Sequence, residues 1–149
     1  MRKREILLTI HDRHVQDGEE NASELITTGT FEGTADDYRI VYTEQDESLR
    51  DCVTTVHVEG ERRVTLVRTG PSTAELILEV HKRHNCHYDT PFGGFILGVY
   101  AKQITSRVMS DQACGALAFR YTLDFNSANS TENELSLFFK EVDSHAPQS

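Results

Sequence analysis

The sequence has few of the residues that cross-link, anchor or export a small protein. Its three cysteines, Cys52, Cys86 and Cys114, are odd in number and form no CxxC pair, so they favour a reducing compartment over a disulfide scaffold. The apolar stretch after the basic N-terminus ends at His11 after about six residues, too few for a signal peptide. The longest weakly polar run, residues 92–101, is about half as long as a membrane-spanning helix. We therefore expect a soluble, cytoplasmic protein without a membrane partner.

Positive charge is also scarce. Acidic residues outnumber basic residues by 24 to 15, which gives a formal net charge of −9. The electrostatic field of this net negative charge repels the phosphate backbone of nucleic acids, so nucleic acid is not an expected partner. The basic pairs at residues 62–63 and 82–83 are interpreted as solvated charge at strand edges. Gly93 and Gly94 follow a proline turn and precede a strand rather than a helix, so they make no phosphate-binding loop, and no cofactor is expected.

Period-two alternation of apolar and polar residues recurs along the chain, as is typical of strands with one buried face. Helical periodicity does not occur over a comparable length. The clearest stripe has five members, at positions 117, 119, 121, 123 and 125, and a strand of that length must curve around a core. The shorter stripes are Ile6, Leu8 and Ile10; Ile40 and Tyr42; Val56 and Val58; Val64, Leu66 and Arg68; Leu76, Leu78 and Val80; and Phe95, Leu97 and Val99.

Turn signals separate these stripes. Gly60 lies between two alternating segments, and glycine supplies the positive φ angle that a tight hairpin needs. Further breaks are predicted at residues 70–72, 110–115 and 126–133. The acidic residues at positions 19–20, 36–37 and 44–48 are predicted to lie in loops. Short turns without crossover helices indicate antiparallel neighbours in an up-and-down sheet.

These elements predict an all-β fold. About nine or ten strands are too many for one flat open sheet in a small protein, so the sheet should close into an antiparallel β-barrel of about eight to ten strands. The length of 149 residues fits one domain. We predict that the barrel spans about residues 5–142 and that residues 143–149 form a polar tail.

Four short segments carry a resemblance to a known family. They are TLVRTG at residues 65–70, YDTPFG at residues 88–93, LAFRYTL at residues 117–123 and NEL at residues 133–135. In this order and spacing, the chain resembles the YwiB-like family of small, functionally uncharacterised bacterial proteins over about residues 6–142. The resemblance implies a calycin-like β-barrel, akin in shape to lipocalins. It implies no activity, because the family has none assigned.

The barrel interior is the leading candidate for a functional site. A barrel of about eight strands either fills its interior with side chains or holds one small ligand. Buried tyrosine and arginine side chains must find hydrogen-bond partners, either in a ligand or at the barrel ends. We therefore predict a non-enzymatic protein that binds a small apolar or amphipathic molecule through Tyr42, Arg68, Tyr88 and Tyr121.

A second cluster, His81, His84, Cys86 and His87, contains ligand types that zinc prefers. On an extended strand these side chains point to opposite faces, so only a turn around residues 83–85 could bring them together. The simpler interpretation is a polar hairpin with solvent-facing histidines, and we predict no metal site.

Two other classes of function stay open. One is an interaction module or homodimer that uses an apolar outer surface, with Ile77, Ile96, Tyr100 and Phe138 as its members. The other is an enzyme, in which Cys86 or Cys114 would act as a thiolate beside a histidine. An enzyme should show a histidine, carboxylate or thiol group in a cleft with a strongly perturbed pKa.

Overall fold

The computed structural model describes residues 3–44, 51–125 and 128–142. Within these ranges the secondary structure is entirely β, and the ten strands run from Arg4 to Glu141. They are β1 (Arg4–Gln16), β2 (Glu19–Thr34), β3 (Asp37–Thr43), β4 (Val53–Glu59), β5 (Arg63–Thr69), β6 (Thr73–Glu79), β7 (Arg83–Thr90), β8 (Gly93–Met109), β9 (Cys114–Phe125) and β10 (Ala128–Glu141).

Each strand pairs antiparallel with the next strand along the chain, and β1 pairs with β10 to close the barrel. The closing ladder is long, because its register extends from Ile6 opposite Glu141 to Val15 opposite Glu132. Each strand therefore has a neighbour on both sides, although β6 and β7 pair only at Thr73 with Asp89 and at Ala74 with Tyr88. The predicted fold, a closed antiparallel β-barrel of about eight to ten strands, is confirmed.

Alternate residues of each strand point inward, as the stripes predicted. Ile6, Leu8 and Ile10 of β1 are buried in the core. Burial of the long stripe on β9 decreases toward the carboxyl end of the strand. Leu117, Phe119 and Tyr121 are buried, but the exposed fraction of Phe125 is 46%. The interior is therefore dense at one end of the barrel and open at the other.

The dense end is filled by aromatic rings from three strands. The ring of Phe31 lies 5.4 Å from that of Tyr38 and 5.4 Å from that of Phe139, measured between centroids. The Tyr38 hydroxyl shares a 2.8 Å hydrogen bond with Ser106 Oγ on β8. Burial raises the pKa of Tyr38 to about 12, although the bond to Ser106 opposes the shift. A neutral phenol therefore lies in this part of the core.

The sequence-based turns are confirmed at Gly60, which has a φ of +61°, and at residues 70–72 and 110–113. Three loop predictions are wrong in whole or in part. Asp36 lies in a turn, but Asp37 begins β3. Residues 19–20 begin β2 rather than a loop, because they pair with residues 15 and 16 of β1. The break predicted at residues 126–133 is too long, since β10 already begins at Ala128. Residues 45–48 and the tail at 143–149 lie outside the described residues.

Gly29 on β2 provides a test of how tightly the middle of the barrel packs, because its register partners are Ile6 on β1 and Tyr42 on β3. A Cβ atom built at Gly29 would lie 2.4 Å from the carbonyl oxygen of Val41 and 2.9 Å from Leu8 Cδ1. We expect Gly29→Ala to lower the free energy of unfolding by about 3 kcal/mol, since overpacking beside fixed backbone forces the strands apart. Urea denaturation measures the loss.

Gly60→Ala is the control, because its Cβ meets nothing within 4 Å and only the positive φ angle is unfavourable. We expect that variant to lose about 1 kcal/mol. Equal losses in the two variants would show that the barrel does not pack around Gly29 as described.

Candidate functional site

The open end of the barrel contains a cavity of about 560 Å³. This is within the usual range of small-molecule pockets, about 300–1,000 Å³. Its wall reaches the exposed residues Ser23 and Glu24, so the cavity opens to solvent at the end that carries the turns at residues 17–18, 70–72 and 91–92. We call this end the mouth. Six leucines supply most of the apolar lining: Leu25, Leu66, Leu76, Leu97, Leu123 and Leu135.

All four residues proposed from the sequence, Tyr42, Arg68, Tyr88 and Tyr121, line this one cavity. Tyr42, Arg68 and Tyr88 lie within two residues of the carboxyl ends of β3, β5 and β7, and Tyr121 lies four residues before the end of β9. Odd-numbered strands of an up-and-down barrel run in the same direction, so their carboxyl ends meet at one end. The topology therefore brings the four side chains together. Their part in binding a ligand stays a prediction.

Arg68 is the centre of a polar network on one wall. Its Nη1 donates a 3.1 Å hydrogen bond to the Tyr88 hydroxyl, and its guanidinium carbon lies 5.8 Å from the centroid of that ring. Its Nη2 lies 3.7 Å from Glu44 Oε2, which also accepts a hydrogen bond from the Thr54 hydroxyl. Arg68 Nε is buried, and no described group accepts a hydrogen bond from it. A polar ligand atom could use this remaining donor.

Tyr42 and Tyr121 contribute neutral hydroxyl groups. Burial raises the pKa of Tyr42 far above its usual value; the Glu44 carboxylate adds to the shift and Arg68 opposes it. Burial also raises the pKa of Tyr121, with a further contribution from Asp12 and an opposing one from Arg68. Both phenols therefore stay protonated, and each can donate or accept a hydrogen bond.

Asp12 is a site residue that the sequence-based reasoning missed. It lies on β1 two residues after Ile10, so its carboxylate points into the cavity. Burial raises the pKa of Asp12, although the nearby His14 opposes the shift. The signal was present in the sequence, because the inward stripe at positions 6, 8 and 10 continues to position 12.

Phenylalanine side chains surround part of the mouth. Phe92 is 96% exposed in the turn between β7 and β8, and Phe95 and Phe125 are about half exposed. The rings of Phe95 and Phe125 meet edge to face with 6.2 Å between their centroids. Phe95 lies opposite Tyr88 in the β7–β8 register, so these rings extend the cavity wall outward. An apolar surface at the entrance suits a ligand with an apolar part.

The candidate metal ligands do not converge. His81 lies in a turn with a φ of +61°, and residues 83–85, where a turn would be needed to bring the four side chains together, are part of β7. Cys86 points into the core, His87 is exposed, and His84 Nε2 lies 2.9 Å from Glu79 Oε1. Across the described residues, no three or more histidine, cysteine or acidic side chains group in a way that could hold a metal ion.

The described surroundings of the two candidate nucleophiles, Cys86 and Cys114, do little to activate a thiolate. Burial raises the pKa of Cys86, against the effect of a hydrogen bond from the backbone N–H of Ile77, and this favours the thiol over the thiolate. The nearest described hydrogen-bond partner of Cys114 is Gln112, with Sγ 3.9 Å from Oε1. The described residues that line the cavity include neither cysteine nor histidine. Among the described histidine, carboxyl and thiol groups that line the cavity, Asp12 is the one whose pKa is raised, and burial is the main cause.

The outer residues proposed for an interaction surface are spread over the barrel. Ile77 lies on β6 and is partly buried against the core. Ile96 and Tyr100 lie on β8, and Phe138 lies on β10. β7 and β9 separate these three strands. The four side chains therefore do not form one continuous patch.

Comparison with known proteins gives a family. Residues 8–137 match the family described as "Domain of unknown function (DUF1934)". The chain belongs to this family. Its barrel is also similar to the crystal structure of the ywiB protein from Bacillus subtilis, with a TM-score of 0.82, 19% sequence identity and coverage of 95% of this chain and 94% of that one. The resemblance to YwiB-like proteins that the sequence predicted is thus confirmed.

The same comparisons supply no activity for this member of the DUF1934 family. None of the curated proteins matches the chain significantly. No helix long and apolar enough to cross a membrane occurs in residues 3–44, 51–125 and 128–142. The likeness to ywiB, at 19% identity, is a likeness of fold. Function must therefore be argued from the cavity itself.

The raised pKa of Asp12 predicts a pH-dependent effect on stability. An acid whose pKa is raised in the folded state stabilises the protein most when it is protonated, and that stability is lost as the pH rises through the folded pKa. We therefore expect Asp12→Asn to unfold at a higher urea concentration than the parent at about pH 7 and at a similar concentration near pH 3.5. Urea titrations at the two pH values measure the difference.

Asp36→Asn, in an exposed turn, is the control and should change the midpoint little at either pH. A loss of stability in Asp12→Asn at neutral pH would contradict the description, because it would mean that the carboxylate has a stabilising partner in the folded protein.

Proposed function

We propose that this protein binds a small amphipathic molecule in the cavity at the open end of its barrel. The observation that carries the proposal is the combination of an apolar wall of six leucines with a few convergent polar groups. Small-molecule sites have this composition, because apolar contact supplies affinity and placed polar groups fix orientation. The barrel shape, as in lipocalins, leaves room for one such molecule.

The polar end of the ligand would contact the network around Arg68. The available groups are the hydroxyls of Tyr42, Tyr88 and Tyr121 and the Nε of Arg68, which has no acceptor among the described residues. The apolar part would pack against the leucines and extend toward Phe95 and Phe125 at the mouth. Burying the leucine side chains under the ligand removes apolar surface from water. Each Å² of this surface contributes about 25 cal/mol to the free energy of binding, and this is the main favourable contribution.

We also infer that binding takes place in a reducing compartment, the bacterial cytoplasm. All three cysteines are free thiols. Cys52, just before β4, and Cys86, on β7, are both buried, and no disulfide joins them. A secreted barrel of this size more often carries disulfides.

Filling the cavity provides the test. Ala74 on β6 lines the wall between Arg68 and Tyr88 in the strand register, so Ala74→Phe should occupy space that the ligand needs. The probe is the dye N-phenyl-1-naphthylamine, whose fluorescence rises in apolar surroundings. We expect the parent protein to bind one dye molecule and Ala74→Phe to bind it about tenfold or more weakly, a loss of about 1.4 kcal/mol or more.

Ala22→Phe is the matched control, because Ala22 is exposed on the outer face of β2 and should leave binding unchanged. Leu76→Phe is a second filling variant in case the first one unfolds. Native mass spectrometry of protein purified gently from its host should show a bound small molecule. Dye binding that is absent, or that is equal in filled and unfilled variants, would refute the proposal.

A further inference from the structure

The cavity contains one carboxylate, that of Asp12, for which the described residues provide no partner. No described residue donates a hydrogen bond to the Asp12 side chain or forms an ion pair with it. The nearest basic side chain that affects it is His14, which lies two residues closer to the mouth on the same strand. Partly buried carboxylates are usually paired, because removing an unpaired charge from water is unfavourable.

The other charges of the wall already have partners. Arg68 lies beside Glu44 and donates to Tyr88 on the side of the cavity formed by β3, β5 and β7. Glu24 at the mouth lies 3.3 Å from His11 Nε2. The lining contains three carboxylates and one guanidinium, and Asp12 is the partly buried carboxylate that has no ion-pair partner among the described residues.

Asp12 and Arg68 are on opposite sides of the barrel. In the closed strand order, β1 and β5 are separated by β2, β3 and β4 in one direction and by five strands in the other. Arg68 is therefore not placed to neutralise Asp12. Tyr121 lies on the floor of the cavity within the influence of both charges. A ligand above Tyr121 would meet a carboxylate on one side and the Arg68 network on the other.

We propose that the cavity takes amphipathic ligands that carry a protonated amine, and that the Asp12 carboxylate binds this ammonium group. This inference rests on the proposed function and specifies the class of ligand. An N⁺–H···O⁻ bond in a partly desolvated site is stronger than a neutral hydrogen bond. An ammonium group also neutralises the Asp12 carboxylate. An alcohol leaves the negative charge of Asp12 unneutralised, and a carboxylate places a second negative charge beside it.

A series of ligands of equal length tests the inference. Octylammonium, 1-octanol and octanoate are compared as competitors of N-phenyl-1-naphthylamine at about pH 7 and about 0.15 M salt, where surface charge is screened beyond about 8 Å. We expect octylammonium to bind about tenfold or more tightly than 1-octanol, and octanoate to bind most weakly. Asp12→Asn should make octylammonium and 1-octanol equal within about twofold while leaving the affinity for 1-octanol unchanged.

Three variants distinguish binding of the amine at Asp12 from general attraction of the amine by the net negative charge of the protein. Asp36→Asn removes one exposed charge and should leave the preference for the amine intact. His14→Gln should also keep this preference, because it removes the competing basic group. Asp12→Ser should reproduce the effect of Asp12→Asn, and urea denaturation confirms that each variant folds.

The possible failures are distinct. If 1-octanol displaces the dye as well as octylammonium does, or if Asp12→Asn keeps the preference for the amine, this inference is wrong and the proposed function stands. If octanoate binds best and Arg68→Met abolishes its binding, the ligand is an anion and the inference is likewise wrong. If neither the dye nor any of the three competitors binds, both proposals fall.

Discussion

Every other feature of this molecule depends on the backbone hydrogen bonds between β1 and β10, which close the sheet. Once the sheet is closed, each strand must direct alternate side chains into a shared interior, and no side chain can change face without a bulge. The same closure makes all odd-numbered strands end at the mouth. Tyr42, Arg68, Tyr88 and Tyr121 meet there for this reason, although they are distant in sequence.

The interior has two halves with different physical chemistry. Phe31, Tyr38 and Phe139 fill the dense end with packed rings, and burial there supplies the apolar contribution to folding. The open end instead carries charged and hydroxyl groups around leucines. Arg68 beside Glu44 is a partly buried ion pair, and such pairs contribute less to stability than apolar packing of similar volume. Packed rings and polar groups thus lie at opposite ends of one barrel.

The sequence predicted the barrel from its stripes, but not all of its strands. β2 was missed because its first five residues, 19–23, are polar or small on both faces, and β7 was missed because its histidines resemble a polar hairpin. Neither strand has an alternating stripe, so only pairing with its neighbours identifies it. Tyr42, Arg68 and Tyr121 could be chosen because each is a polar group on an otherwise apolar stripe, whereas Tyr88 belongs to the segment YDTPFG that carried the family resemblance. Asp12 was passed over because a charged residue after Ile10 was interpreted as the end of a stripe.

By itself, the sequence determined the class of fold and which apolar side chains of the striped strands face inward, because period-two alternation is a local property of each strand. Tertiary structure alone decided which end of the barrel is filled, since that depends on rings from β2, β3 and β10 that meet across the interior. It also decided that His81, His84, Cys86 and His87 lie apart and that Asp12 and Arg68 face the same cavity. These relations follow from the register of distant strands, which no local pattern encodes.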